Sequence, residues 1–190
     1  FMLFSATSGQ LADKLEKSAF IRRVKDAEIG VMLVGGAGLA LHMPMLVYLA
    51  VFLLGLQTTV FGPVKYSYLP QHLDAHEVTG GNGMVEMGTF VAILLGTIGG
   101  GLLISQLGDR GAVITAAVCL LCAILGRIAA QFVPHSPAAD PALTINWNPF
   151  TETWRNLRIA HGNAAVFNSI VGISWLWFFG SVFLTSFTPF

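Results

Sequence analysis

The chain has 190 residues, 54% hydrophobic and only 11% charged, with zero formal net charge and a mean hydropathy of +0.70. A soluble domain carries about 25% charged residues, so a shell this poor in charge cannot keep a soluble globule in solution. Zero net charge also withholds the electrostatic attraction that nucleic-acid binding requires, so no nucleic-acid partner is expected.

A membrane-crossing helix needs roughly 17–25 mostly apolar residues to traverse a hydrocarbon layer about 30 Å thick. Phe1–Ala12 is short for a span and lacks a basic leader and a cleavage site. It reads as the tail of an earlier helix, and with Phe at position 1 the sequence is expected to be a piece of a longer protein. The polar stretch Asp13–Glu28 follows, with five basic and four acidic residues. Ile29–Val64 then runs 36 residues without a charge. One helix of that length would extend about 54 Å, nearly twice what a bilayer needs. His42-Met43-Pro44 breaks it, predicting two spans near Asp26–Leu41 and Met45–Phe61.

Gly62–Gly83 is a polar connection. Met84–Leu107 and Ala112–Val133 are predicted spans, joined by the short turn Gly108–Gly111. Pro134–His161 is a longer connection rich in Pro, Asn and Trp, and Asn163–Phe190 is an aromatic last span. The expected total is five full spans and one partial one. These runs are too continuous for barrel strands, which alternate, and only helices or closed barrels satisfy backbone groups in lipid. The predicted fold is all-α, a polytopic transmembrane helix bundle.

Lys and Arg set the orientation. Lys14, Lys17, Arg22, Arg23, Lys25, Lys65, Arg155 and Arg158 fall on one side and Arg110 alone on the other, with Arg127 near the basic side. The basic loops are therefore assigned to the cytoplasm. Thr151–His161 has two readings. One is an amphipathic helix capped by Thr151, with Trp154, Leu157 and Ile159 in the headgroups. The other is a solvated linker.

Several features bear on function. Gly9, with Asp13, Lys14 and Lys17, forms a Gly-x-Leu-Ala-Asp-Lys run at the end of the first helix. Gly permits close helix approach, and Asp13 can pair with a base or a helix N-terminus and so lock one state of a bundle. The plainer reading is an ordinary positive-inside loop. Cys119 and Cys122 have redox spacing but lie in an apolar run and read as small hydrophobes packed in the core. His72 and His76 flank Asp74 in a loop, where a solvated role outweighs a metal site.

GQLADKLEK resembles the signature between spans two and three of the major facilitator superfamily. Gly9, Leu11, Asp13, Lys14 and Lys17 match, while Glu16 replaces the usual second Gly. The stretch Gln57–Leu73 and the run Gly80–Phe90 resemble the bacterial lysophospholipid transporter family, some of whose members are fused to acyltransferase or acyl-ligase domains. Trp147–Thr153 is similar to the fused versions.

The resemblance implies a partial major facilitator fold, from the end of span two through span seven. Residues 1–133 would be the incomplete first half, 134–162 the cytoplasmic connection between halves, and 163–190 the first span of the second half. It implies a flippase that moves lysophospholipids from the outer to the inner leaflet of the bacterial inner membrane, for reacylation. Its partners would be the lysophospholipid, membrane lipids and a fused or associated acyltransferase. No cofactor and no chemistry within the chain are implied. Gly9, Asp13, Lys14 and Lys17 would be the conformational latch.

Ionisable groups near membrane depth are costly and point to function. Lys65 attracts phosphate in one reading and is a snorkelling anchor in the other. Glu86 receives an ammonium or pairs with Lys65, or else is an acid favoured by a helix N-terminus. Arg127 is a third candidate, against a snorkelling role. Gln57, Thr58, Thr59 and Asn82 add neutral hydrogen-bonding groups, so Gln57, Lys65, Asn82 and Glu86 are the candidate substrate residues. Gly88, Gly96, Gly99 and Gly100 allow close helix packing, fixed or sliding, and Gly35, Gly36 and Gly38 repeat the pattern upstream. Three rivals stand beside lipid flipping: another small-molecule transporter of the superfamily, the transport part of an acyltransferase, and a non-transporting membrane scaffold.

Overall fold

A computed structural model describes residues 2–187; the predicted ends of the first and last helices, at residues 1 and 188–190, lie outside the described residues. Seven α-helices follow one another: α1 (Met2–Lys14), α2 (Lys17–Ala40), α3 (Pro44–Tyr68), α4 (Val78–Leu107), α5 (Asp109–Ala129), α6 (Pro149–His161) and α7 (Ala164–Phe187). Short 3₁₀ turns follow α3 at Leu69–Gln71 and α5 at Ala130–Phe132. The chain is a helical membrane bundle, with no strand among the described residues.

Among the described residues, four segments are long and apolar enough to cross a membrane: Pro44–Gln71, Val78–Leu107, Arg110–Phe132 and Ala164–Phe183. The expected span at Asp26–Leu41 is not among them. Its helix begins at Lys17, so most of the polar stretch is helical, and Arg22, Arg23, Lys25, Asp26 and Glu28 ride on its first half. Glu16 is why α2 starts so early. As N-cap, its carboxylate accepts from the amides of Ser18 (3.1 Å) and Ala19 (2.7 Å) and from the Ser18 hydroxyl, satisfying donors that the first turn leaves free.

Other predicted loops shrink for similar reasons. The Gly62–Gly83 connection is helical up to Tyr68 and again from Val78, and α3 continues through Pro63. The Gly108–Gly111 turn reduces to Gly108, whose φ of +53° turns α4 into α5. Between α2 and α3, His42 takes φ +54° and the Met43 amide donates to Gly38 at 2.8 Å. Pro44 then starts α3 at the position where its missing N–H costs nothing.

The chain divides into two compact units, one through Asn146 and one from Trp147. In the first unit α2 is central, packed against α3 and α5; α1 lies on α3, and α4 on α5. Ala12, Ile21, Val64 and Ala130 form a small buried core where the ends of α1, α3 and α5 meet the start of α2, flanked by Phe20, Phe61, Tyr68 and Val133. Cys119 and Cys122 are exposed on α5, not packed in a core, because this bundle presents an apolar exterior rather than an apolar centre. In the second unit, α6 carries the amphipathic pattern and packs on α7. Its cap is Asn148, not Thr151: the Asn148 side chain accepts from the amides of Phe150 (3.1 Å) and Thr151 (3.2 Å).

Candidate functional site

Three polar clusters stand out in the first unit. The first joins α3 to α4. Lys65 Nζ lies 3.6 Å from Glu86 Oε1, and the Tyr66 hydroxyl donates to the same oxygen. Lys65 also sits over the Tyr66 ring, 4.6 Å from its centre. Asn82 is one turn before Glu86 on α4, on the same helix face, and its side-chain oxygen is buried without a hydrogen-bond partner. Lys65, Tyr66 and Glu86 thus make one polar cluster between α3 and α4, with Tyr66 a member the sequence reading missed and Asn82 one turn away on the Glu86 face of α4.

Gln57 is not part of that patch. Two turns earlier on α3, it donates to Glu28 Oε2 at 3.1 Å, and Lys25 donates to the same oxygen at 2.7 Å. Lys25 also lies 5.3 Å from the centre of the Phe61 ring. Beside this second cluster, Arg127 of α5 pairs with Asp26 of α2, while its Nη1 is buried without a hydrogen-bond partner. Two of the charges that make α2 a poor span by composition, Asp26 and Glu28, are therefore met from α5 and α3. Arg127 near the end of the apolar α5 was the available signal; nothing in the sequence singled out Asp26, at the start of a predicted span, as its partner.

The third cluster surrounds the α1–α2 turn. Gly9, Asp13 and Lys14 lie on the last turns of α1, and Lys17, almost fully buried, opens α2. The Asp13 side chain is exposed, and its backbone carbonyl accepts from the Asp140 amide at 2.9 Å. The dominant residue is Glu16. Besides capping α2 it accepts from the Ser136 amide at 3.2 Å, while the Lys17 amide donates to the Ser136 carbonyl at 2.9 Å.

Ser136 is fully buried, and its hydroxyl bonds Gln71 at the end of α3. Gln10 and Asn146 exchange two bonds, at 2.7 and 3.2 Å. The segment after α5 is thus tied to the turn at three places. Burial pushes the Glu16 carboxyl up, but the Ser18 hydroxyl and the amides of Ala19, Ser136 and Ser18 outweigh it and hold it at about 2.

The α4 glycines differ from those of α2. A Cβ on Gly88, Gly96, Gly99 or Gly100 meets nothing within 4 Å, and α4 has no buried residue. A Cβ on Gly38 would stand 2.9 Å from both Leu46 Cβ and the Val47 nitrogen, and one on Gly35 3.2 Å from Ala50. Close helix approach therefore runs through Gly35 and Gly38 of α2 and, between α5 and α4, through Gly111, where a Cβ would run into the Leu103 carbonyl oxygen. His72 stacks on the Tyr68 ring, 4.3 Å between centres.

The profile of the Major Facilitator Superfamily matches residues 2–190. The chain belongs to that superfamily. It is similar to the lysophospholipid transporter LplT of Salmonella paratyphi B, 32% identical over 166 residues, or 82% of this chain and 38% of that protein. The proteins of the same name from Enterobacter sp. and Serratia proteamaculans are 27% and 29% identical, each over 93% of this chain and 42% of their own length. The chain therefore spans about two fifths of the length of these relatives. No solved structure matches it. Superfamily membership and the apolar helices make it part of a multi-pass membrane protein.

Proposed function

We propose that the protein carrying this chain transports lysophospholipid from the outer to the inner leaflet of a bacterial inner membrane, by alternating access. The Lys65–Glu86 pair on adjoining helices carries the reading. A lysophosphatidylethanolamine headgroup bears a phosphate and an ammonium. Lys65 and Glu86 hold the complementary charges 3.6 Å apart, so the headgroup can replace each by an equivalent partner without leaving either unpaired. The unpartnered Asn82 oxygen offers a further acceptor on the same face. The printed names of the similar proteins support the same substrate class.

In this reading residues 1–133 belong to the first half of the transporter, 134–162 connect the halves on the cytoplasmic side, and 163–190 begin the second half. Gly9, Asp13, Lys14 and Lys17 form the latch, Gln57 braces the route through Glu28, and the open α4 glycines meet a moving partner. Reacylation belongs to an acyltransferase, fused or separate. The test is leaflet-resolved uptake of labelled lysophospholipid in spheroplasts carrying the full-length protein, beside a panel of hydrophilic and cationic small molecules. Uptake of lysophospholipid alone, strongly lowered in K65Q and in E86Q, is expected. Uptake of a panel compound in its place would move the protein to another substrate class of the superfamily.

A further inference from the structure

The second unit holds a cavity that the transport reading leaves unused. On α6, Phe150, Trp154, Leu157 and His161 fall at i, i+4, i+7 and i+11, one stripe of the helix. Ile159 lies on the opposite face, so the stripe ends on His161 rather than on the isoleucine the sequence pattern selected. From α7, the Phe167 ring meets the His161 ring edge-on, 4.9 Å between centres. Between them is a cavity of about 460 Å³ lined by Trp154, Leu157, Arg158, His161 and Phe167. Small-molecule sites run from roughly 300 to 1,000 Å³.

The walls are hydrocarbon and aromatic except where Arg158 and His161 stand. Arg155 has Glu152 at 3.7 Å, whereas Arg158 has no ion pair among the described residues. Connectivity sets the depth. His161 ends α6, and Ala164 begins a helix apolar enough to cross a membrane. A cavity lined by both lies where the chain enters the bilayer, at headgroup level. At that level an apolar slot with an unpaired guanidinium at its lip complements an acyl chain below a phosphate.

We propose that this cavity binds an anionic diacyl phospholipid of the surrounding leaflet. Arg158 takes the phosphate with paired N–H donors, His161 stands beside it, and one acyl chain lies along Trp154, Leu157 and Phe167. The site is separate from the Lys65–Glu86 patch, and it holds a resident lipid rather than a transported one.

The test is native mass spectrometry of the full-length protein in detergent, titrated with phosphatidylglycerol, phosphatidylcholine, lysophosphatidylglycerol or inorganic phosphate. One tightly retained phosphatidylglycerol is expected. R158A should weaken it about fivefold, the effect of one basic residue at a charged membrane surface; R158K should largely restore it, and R155A should leave it unchanged. Equal retention by wild type and R158A would overturn the proposal. So would full displacement by inorganic phosphate, or preference for the lyso lipid. Should R158A not fold, a photoactivatable residue at position 154 reports in vesicles of phosphatidylcholine with phosphatidylglycerol. Crosslinks to phosphatidylglycerol support the site, and crosslinks to another part of the polypeptide sink it.

Discussion

Helices α2 and α4 carry the same sequence signal and use it in opposite ways. Both are glycine-rich and both lie in apolar runs. On α2, Gly35, Gly36 and Gly38 have neighbours against them, Gly38 most tightly, while Arg22 pairs with Glu16, Asp26 with Arg127, and Glu28 accepts from Gln57. On α4, Gly88, Gly96, Gly99 and Gly100 face open space, and Glu86 is the polar tie to α3. A glycine stripe thus specifies that something can approach closely, but not which helix does so. The partner is set by tertiary contacts far away in sequence.

The sharpest way to break this contrast is a methyl group. G38A puts a Cβ against Leu46 and the Val47 backbone and should cost about 1–3 kcal/mol, the range for overpacking a filled site. G96A and G100A should instead stabilise by up to about 1 kcal/mol each through helix propensity. Thermal unfolding in detergent checks all three, and a neutral G38A would dissolve the distinction.

Next comes the polar tie of α4. K65Q or E86Q should lower lysophospholipid uptake roughly tenfold, about 1.4 kcal/mol of lost interaction. Uptake that survives both would return Lys65 to the role of a snorkelling anchor.

The α1–α2 turn supplies a pH test. The folded Glu16 carboxyl sits at about 2, below the ordinary 4.5. A lowered carboxylate value means stability that is fully present above pH 4.5 and is lost as pH falls towards about 2. Thermal unfolding in detergent reads this out: stability should fall across that window in wild type and stay flat, at a lower level, in E16Q. An unchanged profile in E16Q would remove Glu16 as the anchor. The smallest effect expected is at Asp26–Arg127, where a double-mutant cycle should return about 1 kcal/mol or less, because Asp26 is more than half exposed.

Much of this was legible in the sequence. Charge scarcity and uncharged runs located α3, α4, α5 and α7, and the pattern of Gly9, Leu11, Asp13, Lys14 and Lys17 marked the superfamily. What escaped was pairing. Glu16 read as a departure from the pattern because a Glu cap is recognised only by the amides it faces, one of them Ser136, far along the chain. Lys65 and Glu86 were legible as a pair because both stood out against apolar surroundings. Gln57 was grouped with them as a neutral hydrogen-bonding residue, but two helical turns separate it from Lys65, and it reaches Glu28 instead. Helix ends were misplaced wherever a cap or a left-handed residue decided them, as at Glu16, Asn148 and Gly108.

The three-residue bend Leu41–Met43 has a consequence for biogenesis. α2 is too charged to be recognised by the insertion machinery as a span by itself, whereas α3 qualifies readily. With so short a bend between them, α3 cannot settle across the bilayer without drawing α2 in beside it. The two should therefore partition as one hairpin, and lengthening the bend with a flexible polar insert should strand α2 in the aqueous phase, as glycosylation mapping would reveal.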